Sequence, residues 1–158
     1  MYFSRILVTG NKGMLGSEIV KLLGNRAVLF RTNKHNRDIL NANEIEEVMS
    51  NIDAVIHCAA KIPDSNLITT NYDVNILGTK LIIEAANRYH IPVLHVSSQA
   101  VYGQPSKLPV DENYYCLDEI DEYATSKLIA EKICLDLCIS PLAIIRVSSI
   151  YCSATLLK

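Results

Sequence analysis

The segment Arg5-Ile6-Leu7-Val8-Thr9 is a short apolar run stopped by Gly10, and from Met14 to Leu23 the apolar residues Leu15, Ile19, Leu22 and Leu23 recur at helical spacing. Strand, glycine turn and helix in that order restrict the fold more than any other stretch of the chain. Within Gly10-Asn11-Lys12-Gly13-Met14-Leu15-Gly16 each glycine has a separate task. Gly10 permits a tight turn, Gly13 lets backbone approach a pyrophosphate, and Gly16 lets the helix lie close against the strand. The first amides of the helix, those of Met14 and Leu15 among them, then face the anion.

The rest of the chain repeats the alternation. Ala27 to Phe30 reads as a second strand ending at Arg31, followed by a polar loop from Thr32 to Asp38 and a helix over 43–50 with Asn41 or Asn43 as its cap. Ala54 to Cys58 is a third strand. A polar connection beyond Pro63 leads to a long helix at about 70–89, with Val74, Leu77, Leu81, Ile82 and Ala85 on one side. Pro92 to Ser97 is a fourth strand, since proline fits only its first position. The stretch 103–122, rich in Pro, Asp, Glu and Tyr, is a long loop on the scale of an active site. A helix over 122–138 and a strand over 142–147 complete the series.

Strands of continuous hydrophobicity separated by helices predict an α/β fold: one domain spanning 1–158, with a doubly wound parallel sheet in a three-layer α/β/α arrangement. Ligands of such sheets bind beyond the carboxyl ends of the strands, here Thr9, Arg31, Cys58 and Ser97. The formal net charge of -2 argues against a nucleic-acid or anionic-membrane surface, so a small anion must be held by local geometry. No apolar run is long enough to cross a bilayer, and a soluble cytoplasmic protein is the expectation. The five cysteines, 58, 116, 134, 138 and 152, lack metal-ligand spacing; reduced thiols and no metal are expected.

Two groups of residues suggest chemistry. Tyr123 and Lys127 stand one helical turn apart, so the ammonium can lower the phenol pKa and Tyr123 can exchange a proton near neutral pH. NAD sites usually end their second strand with an acidic residue; here Arg31 stands there, with Lys34 nearby and Lys12 inside the glycine turn. Cations suit a 2'-phosphate, which favours NADP over NAD. Asp38 and Ile39 could place a carboxylate near the adenine amino group and an aliphatic surface under its ring.

Five strings occur in order: Thr9-Gly10-x-x-Gly13-x-x-Gly16, Asp53-x-Val55-x-His57-x-Ala59-Ala60, Asn75-x-x-Gly78-Thr79, Val96-Ser97-Ser98-x-x-Val101-Tyr102-Gly103 and Tyr123-x-x-x-Lys127. Together they resemble the extended short-chain dehydrogenase/reductase family of NAD(P)-dependent sugar-nucleotide epimerases, dehydratases and reductases. The glycine turn with Leu29-Phe30-Arg31-Thr32 looks like GDP-fucose synthase, whereas the short segment from Arg31 to Asp53 resembles dTDP-4-dehydrorhamnose reductase; the substrate stays open. The resemblance implies an NAD(P)-binding Rossmann-like domain. It gives Ser98 the task of bonding the reacting oxygen and Tyr123 that of acid/base. Lys127 would hold the nicotinamide ribose and depress the tyrosine pKa.

By the same likeness, Ala59 and Ala60 would line the dinucleotide path, Asn75 would brace the active-site strand, and His57 would pack beside the cofactor. A homodimer through the long helix and the Tyr123 helix is implied too, with Leu128, Cys134 and Leu135 at the contact. Family members grip the nucleotide sugar with residues beyond the strand at 142–147 and a smaller C-terminal domain, which this chain is expected to lack. Arg146 to Cys152 resembles Arg-x-x-x-x-Tyr-Gly with Cys152 in the glycine position. Two classes therefore stay open. One is the cofactor portion of a sugar-nucleotide enzyme; the other is a truncated or degenerate NAD(P)-binding module that regulates or associates without turnover.

Overall fold

The computed structural model describes residues 3–31, 35, 37–62, 72–114 and 120–150. Its elements are β1 (Ile6–Thr9), α1 (Met14–Leu23), β2 (Ala27–Leu29), α2 (Ala42–Met49), β3 (Ala54–His57), α3 (Asp73–Arg88), β4 (Val93–Ser98), α4 (Glu122–Leu137) and β5 (Leu142–Val147). All neighbouring strands are parallel, in the order β2-β1-β3-β4-β5. The order reverses between β1 and β3, and the crevice outside the carboxyl ends of those strands is where a doubly wound sheet takes its ligand.

Right-handed crossovers put α1 on one face and α2, α3 and α4 on the other. On the three-helix face Leu7, Val55 and Val93 pack with Ile45 and Met49 of α2 and Ile82 and Ile83 of α3 in one core. On the opposite face α1 packs on β1 and β2, and Ala143 and Ile145 of β5 are exposed. Asn41 caps α2, its side chain accepting from the amides of Asn43 and Glu44, and Asp121 caps α4 by accepting from Ala124. Pro92 lies just before β4, where its missing N–H costs no ladder bond.

The long helix differs from the sequence reading in one instructive way. Leu77 is 42% exposed, while the buried stripe runs through Asn75, Gly78, Thr79, Ile82, Ile83 and Ala86. Two polar residues occupy that stripe because each has a buried partner, as described below. Residues 70 and 71 of the expected helix, Lys34, Cys116, and the Tyr151-Cys152 string lie outside the described residues.

Candidate functional site

The glycine turn leaves β1 with Gly10 in the left-handed region, at φ 65°. A side chain there would meet the peptide of Cys58 and Ala59 at 2.7 Å, and one at Gly16 would lie 2.2 Å from the Gly10 carbonyl oxygen. Both positions therefore require glycine for space. Gly13 precedes α1 and donates its own N–H to Gly10 at 2.8 Å. In contrast to α2 and α4, α1 has no side-chain cap among the described residues, which leaves its first-turn amides for solvent or an anion.

A cleft of about 320 Å³ opens above this turn, lined by Gly10, Lys12, Gly13, Arg31, Asp38, Ile39, Ala59 and Ala60, all singled out from the sequence. Asn11, Phe30, Cys58, Lys61 and Val74 complete its lining. Met14, Leu15 and Gly16 do not line it: Met14 opens α1 and is 46% exposed, and Gly16 is buried under the turn. Any part these three take in binding must come through backbone amides.

Asn11 is the residue that sequence reasoning missed here. Its Nδ2 donates to the Arg31 carbonyl at 2.7 Å and its Oδ1 accepts from the Arg31 amide at 3.0 Å, so one side chain fastens the glycine turn to the end of β2. The Arg31 Nε donates to the Arg37 carbonyl at 2.6 Å, which turns its side chain along the rim shared with Lys12. Asp38 and Ile39 close the far side. The Asp38 carboxylate is engaged by the Leu40 amide at 3.0 Å, and Ile39 is buried against Gly78, whose absent side chain makes room for it.

The second half of the site stands at the ends of β4 and α4. Ser98 closes β4, and its Oγ accepts from the Ala100 amide at 3.2 Å. Tyr123, in the first turn of α4, has its hydroxyl within reach of Ser98 and its ring 6.1 Å from that of Tyr72. Burial holds the Tyr123 phenol above its usual pKa; Ser98 pulls the other way, and Asp121 and Tyr72 add to the rise. This corrects the expectation that Lys127 depresses it. Lys127 is instead 2% exposed, its ammonium donates to the Val96 carbonyl at 2.7 Å, and burial pushes its own pKa down to about 8.

Asn75 ties the two halves together. Its Oδ1 accepts from the Lys61 amide at 2.7 Å, and its Nδ2 donates to the Lys61 carbonyl at 3.0 Å and to Ser126 Oγ at 2.9 Å. Ser126 in turn donates to the Tyr123 carbonyl at 2.7 Å. The cleft wall at Lys61 and the backbone of Tyr123 are thus three hydrogen bonds apart, through Asn75 and Ser126, and both stand at the carboxyl edge of the sheet. His57 does not line the cleft: it is buried at 1% exposure, bonded through both ring nitrogens, and held neutral with a pKa lowered to about 3 by burial and the Lys127 charge. The His95 ring lies tilted against it at 5.3 Å, with neither nitrogen partnered among the described residues, and its pKa is lowered to about 2.

Arg146 of β5 fixes the outer edge. It pairs with the buried Glu131 of α4 at 2.8 Å, donates to the Glu112 carbonyl at 3.0 Å and lies 4.7 Å from the centre of the Tyr102 ring. Among the described residues no cluster of three or more His, Cys, Asp or Glu could hold a metal ion, and no helix is long and apolar enough to cross a membrane.

A parallel sheet with a glycine turn at its reversal point defines a Rossmann-like dinucleotide-binding domain. Residues 6–153 match the NAD dependent epimerase/dehydratase family, and the chain belongs to that family. The UDP-glucose 4-epimerase of Dictyostelium discoideum is 32% identical over 165 residues, covering 86% of this chain and 48% of the relative. Among solved structures, RMD from Pseudomonas aeruginosa complexed with NADPH superposes with a TM-score of 0.78 at 27% identity, covering 92% of this chain and 53% of that one. UDP-glucose 4-epimerase from Brucella ovis in complex with NAD gives 0.78 at 28% identity, over 92% and 51% of the respective chains. The chain spans about half the length of the curated relatives it matches.

Proposed function

We propose that this chain is the dinucleotide-binding part of a nucleotide-sugar epimerase, dehydratase or reductase, with Ser98, Tyr123 and Lys127 as its reacting and binding groups. The observation that carries the reading is the joint placement of the uncapped glycine turn and the Ser98/Tyr123 pair along one edge of the sheet, bridged by Asn75. The cradle fits a dinucleotide: glycines where side chains would collide, free first-turn amides for the pyrophosphate, and Ile39 and Asp38 at the end suited to adenine. When bound, the nicotinamide ring would supply a hydride acceptor or donor for a sugar carbon.

The chain's own residues do the rest. Tyr123 holds a proton at Oη because its raised pKa keeps the phenol neutral, which suits donation to a sugar oxygen as that oxygen gains charge. Ser98 Oγ, beside it, orients the same oxygen. Lys127 bonds one carbonyl with one of its three N–H groups, leaving the others for ribose hydroxyls. Running the reaction towards oxidation requires a lower phenol pKa, which a positive nicotinamide beside Tyr123 would favour.

Arg31 and Lys12 on the cleft rim favour NADP. The nucleotide sugar, cytoplasmic residence and a substrate-gripping domain outside these 158 residues belong to the same reading. So does a homodimer through α3 and α4: Leu77, Ile129 and Leu135 are 42%, 41% and 64% exposed there, whereas Cys134 is core at 0% and leaves the proposed contact. Calorimetric titration with NADP and NAD tests the proposal directly. Tighter NADP binding is expected, followed by nicotinamide absorbance changes with one of a panel of nucleotide sugars when the remaining half of the enzyme is supplied. Binding of neither dinucleotide refutes it.

A further inference from the structure

The wall of the cleft from Ala59 to Lys61 is anchored from beneath as well as from Asn75. The Ala59 amide donates to Thr9 Oγ1 at 3.2 Å, and the Thr9 hydroxyl lies 2.7 Å from His57 Nδ1. On the other side of the ring, His57 Nε2 is 3.0 Å from Thr79 Oγ1, and the Thr79 hydroxyl donates to the Asn75 carbonyl at 2.6 Å. Counting protons fixes every direction. Thr79 has one proton and directs it at a carbonyl, so towards His57 it accepts, and Nε2 must carry the hydrogen. A neutral ring then has its lone pair at Nδ1; Thr9 donates to it and accepts from Ala59 with its own oxygen.

We propose that His57 is a positioning residue: as the Nε2–H tautomer it joins Thr9 of β1 to Thr79 of α3, and so sets the Ala59–Lys61 wall at a fixed distance from the glycine turn. The distance matters because there is no slack. A side chain at Gly10 would touch the Cys58–Ala59 peptide at 2.7 Å, so turn and wall are already in contact, and a displaced wall would narrow or tilt the cleft. The chain of bonds continues through Asn75 and Ser126 to the Tyr123 carbonyl, which makes the cleft and the proposed acid/base part of one rigid frame. His95 packs against the ring, and burial and the Lys127 charge oppose its protonation. The ligand in this inference, a nicotinamide dinucleotide, rests on the proposed function; the bridging role of His57 does not.

Two measurements on the full 158-residue chain test it. Nitrogen-15 NMR of histidine-labelled protein should show His57 neutral, with hydrogen on Nε2 and a bare, hydrogen-bonded Nδ1, unchanged from pH 7 to pH 5; hydrogen on Nδ1 overturns the proposal. In NADP titrations Thr79→Val, which strands the Nε2 hydrogen, should weaken binding by about fivefold or more, while Thr79→Ser, which keeps the acceptor, stays within about twofold. His57→Phe should resemble Thr79→Val. Folded Thr79→Val that binds like the unaltered protein sinks the positioning role. Failure of the unaltered protein to bind either dinucleotide removes the proposed function instead, and the tautomer still decides whether His57 bridges the two threonines.

Discussion

The glycine turn and the Tyr123 helix, the two ends of the proposed site, are held by opposite means. The turn is backbone shaped by the absence of side chains: Gly10 and Gly16 sit where any Cβ would collide, and one side chain, Asn11, fastens it to β2. The Tyr123 end is built from buried polar side chains, with Lys127, Ser126, Glu131 and Asn75 all at most 4% exposed and each hydrogen-bonded. The first arrangement leaves donors free and suits binding a ligand of fixed shape. The second fixes side chains to within hydrogen-bond tolerance and suits a reaction that moves a proton.

The contrast yields predictions that separate the two ends, beginning with the largest. Tyr123→Phe should lower hydride transfer by about 10²-fold or more while NADP affinity in calorimetry stays within about twofold, since only the proton at Oη is lost. Parallel losses in binding and turnover would erase the distinction between the ends. Gly16→Ala should do the reverse and damage binding first. Its Cβ meets the Gly10 oxygen, and the displaced turn should cost about 2 kcal/mol in urea unfolding together with NADP affinity.

A smaller effect belongs to the rim. Arg31→Ala combined with Lys12→Ala should reduce NADP affinity by about tenfold and leave NAD nearly unchanged, because the cations address only the extra phosphate. Equal losses for both dinucleotides would show that the two residues shape the cleft without choosing its ligand.

The effect furthest from turnover and binding comes from titration of the buried end. His57 and His95, with pKa values lowered to about 3 and about 2, bind fewer protons folded than unfolded below the ordinary histidine value of 6.5. Stability should therefore fall as pH drops from about 6.5 towards 3. Lys127, lowered from 10.5 to about 8, has the same sign at higher pH: the unfolded chain holds the extra proton between those values, so stability should rise from pH 8 to 10.5. His95→Leu removes two unpartnered ring nitrogens without touching the cleft. It should raise the thermal midpoint by a few degrees and flatten the acid limb, whereas Lys127→Met should flatten the alkaline limb and, by removing a charge that opposes protonation of His57 and His95, soften the acid limb to a lesser extent. An unchanged acid limb in His95→Leu would mean that the ring is solvated in solution.

How much of this could be read beforehand follows the same division. The parallel sheet and the glycine turn were legible because short apolar runs and glycine offsets act locally, through chain geometry alone, while Ala59 and Ala60 of the cleft lining came from the family likeness. Helix α3 misled its own hydrophobic pattern: Leu77 is exposed and Asn75 and Thr79 are buried, since their partners Lys61, Ser126 and His57 come from other elements. Asn11 escaped notice for the same reason, its bonds reaching twenty residues along the chain to Arg31.

By itself, then, the amino-acid order determined the strand and helix sequence, the place of the glycine turn and the identity of the family, all carried by residues close together in the chain. Tertiary structure alone decided that Lys127 bonds Val96 while Tyr123 stays a neutral phenol, that His57 is a bridge between β1 and α3, and that Asn75 joins both ends of the site. Desolvation and hydrogen-bond direction depend on what surrounds a side chain in space, and those surroundings exist only once the sheet has brought distant segments to one edge.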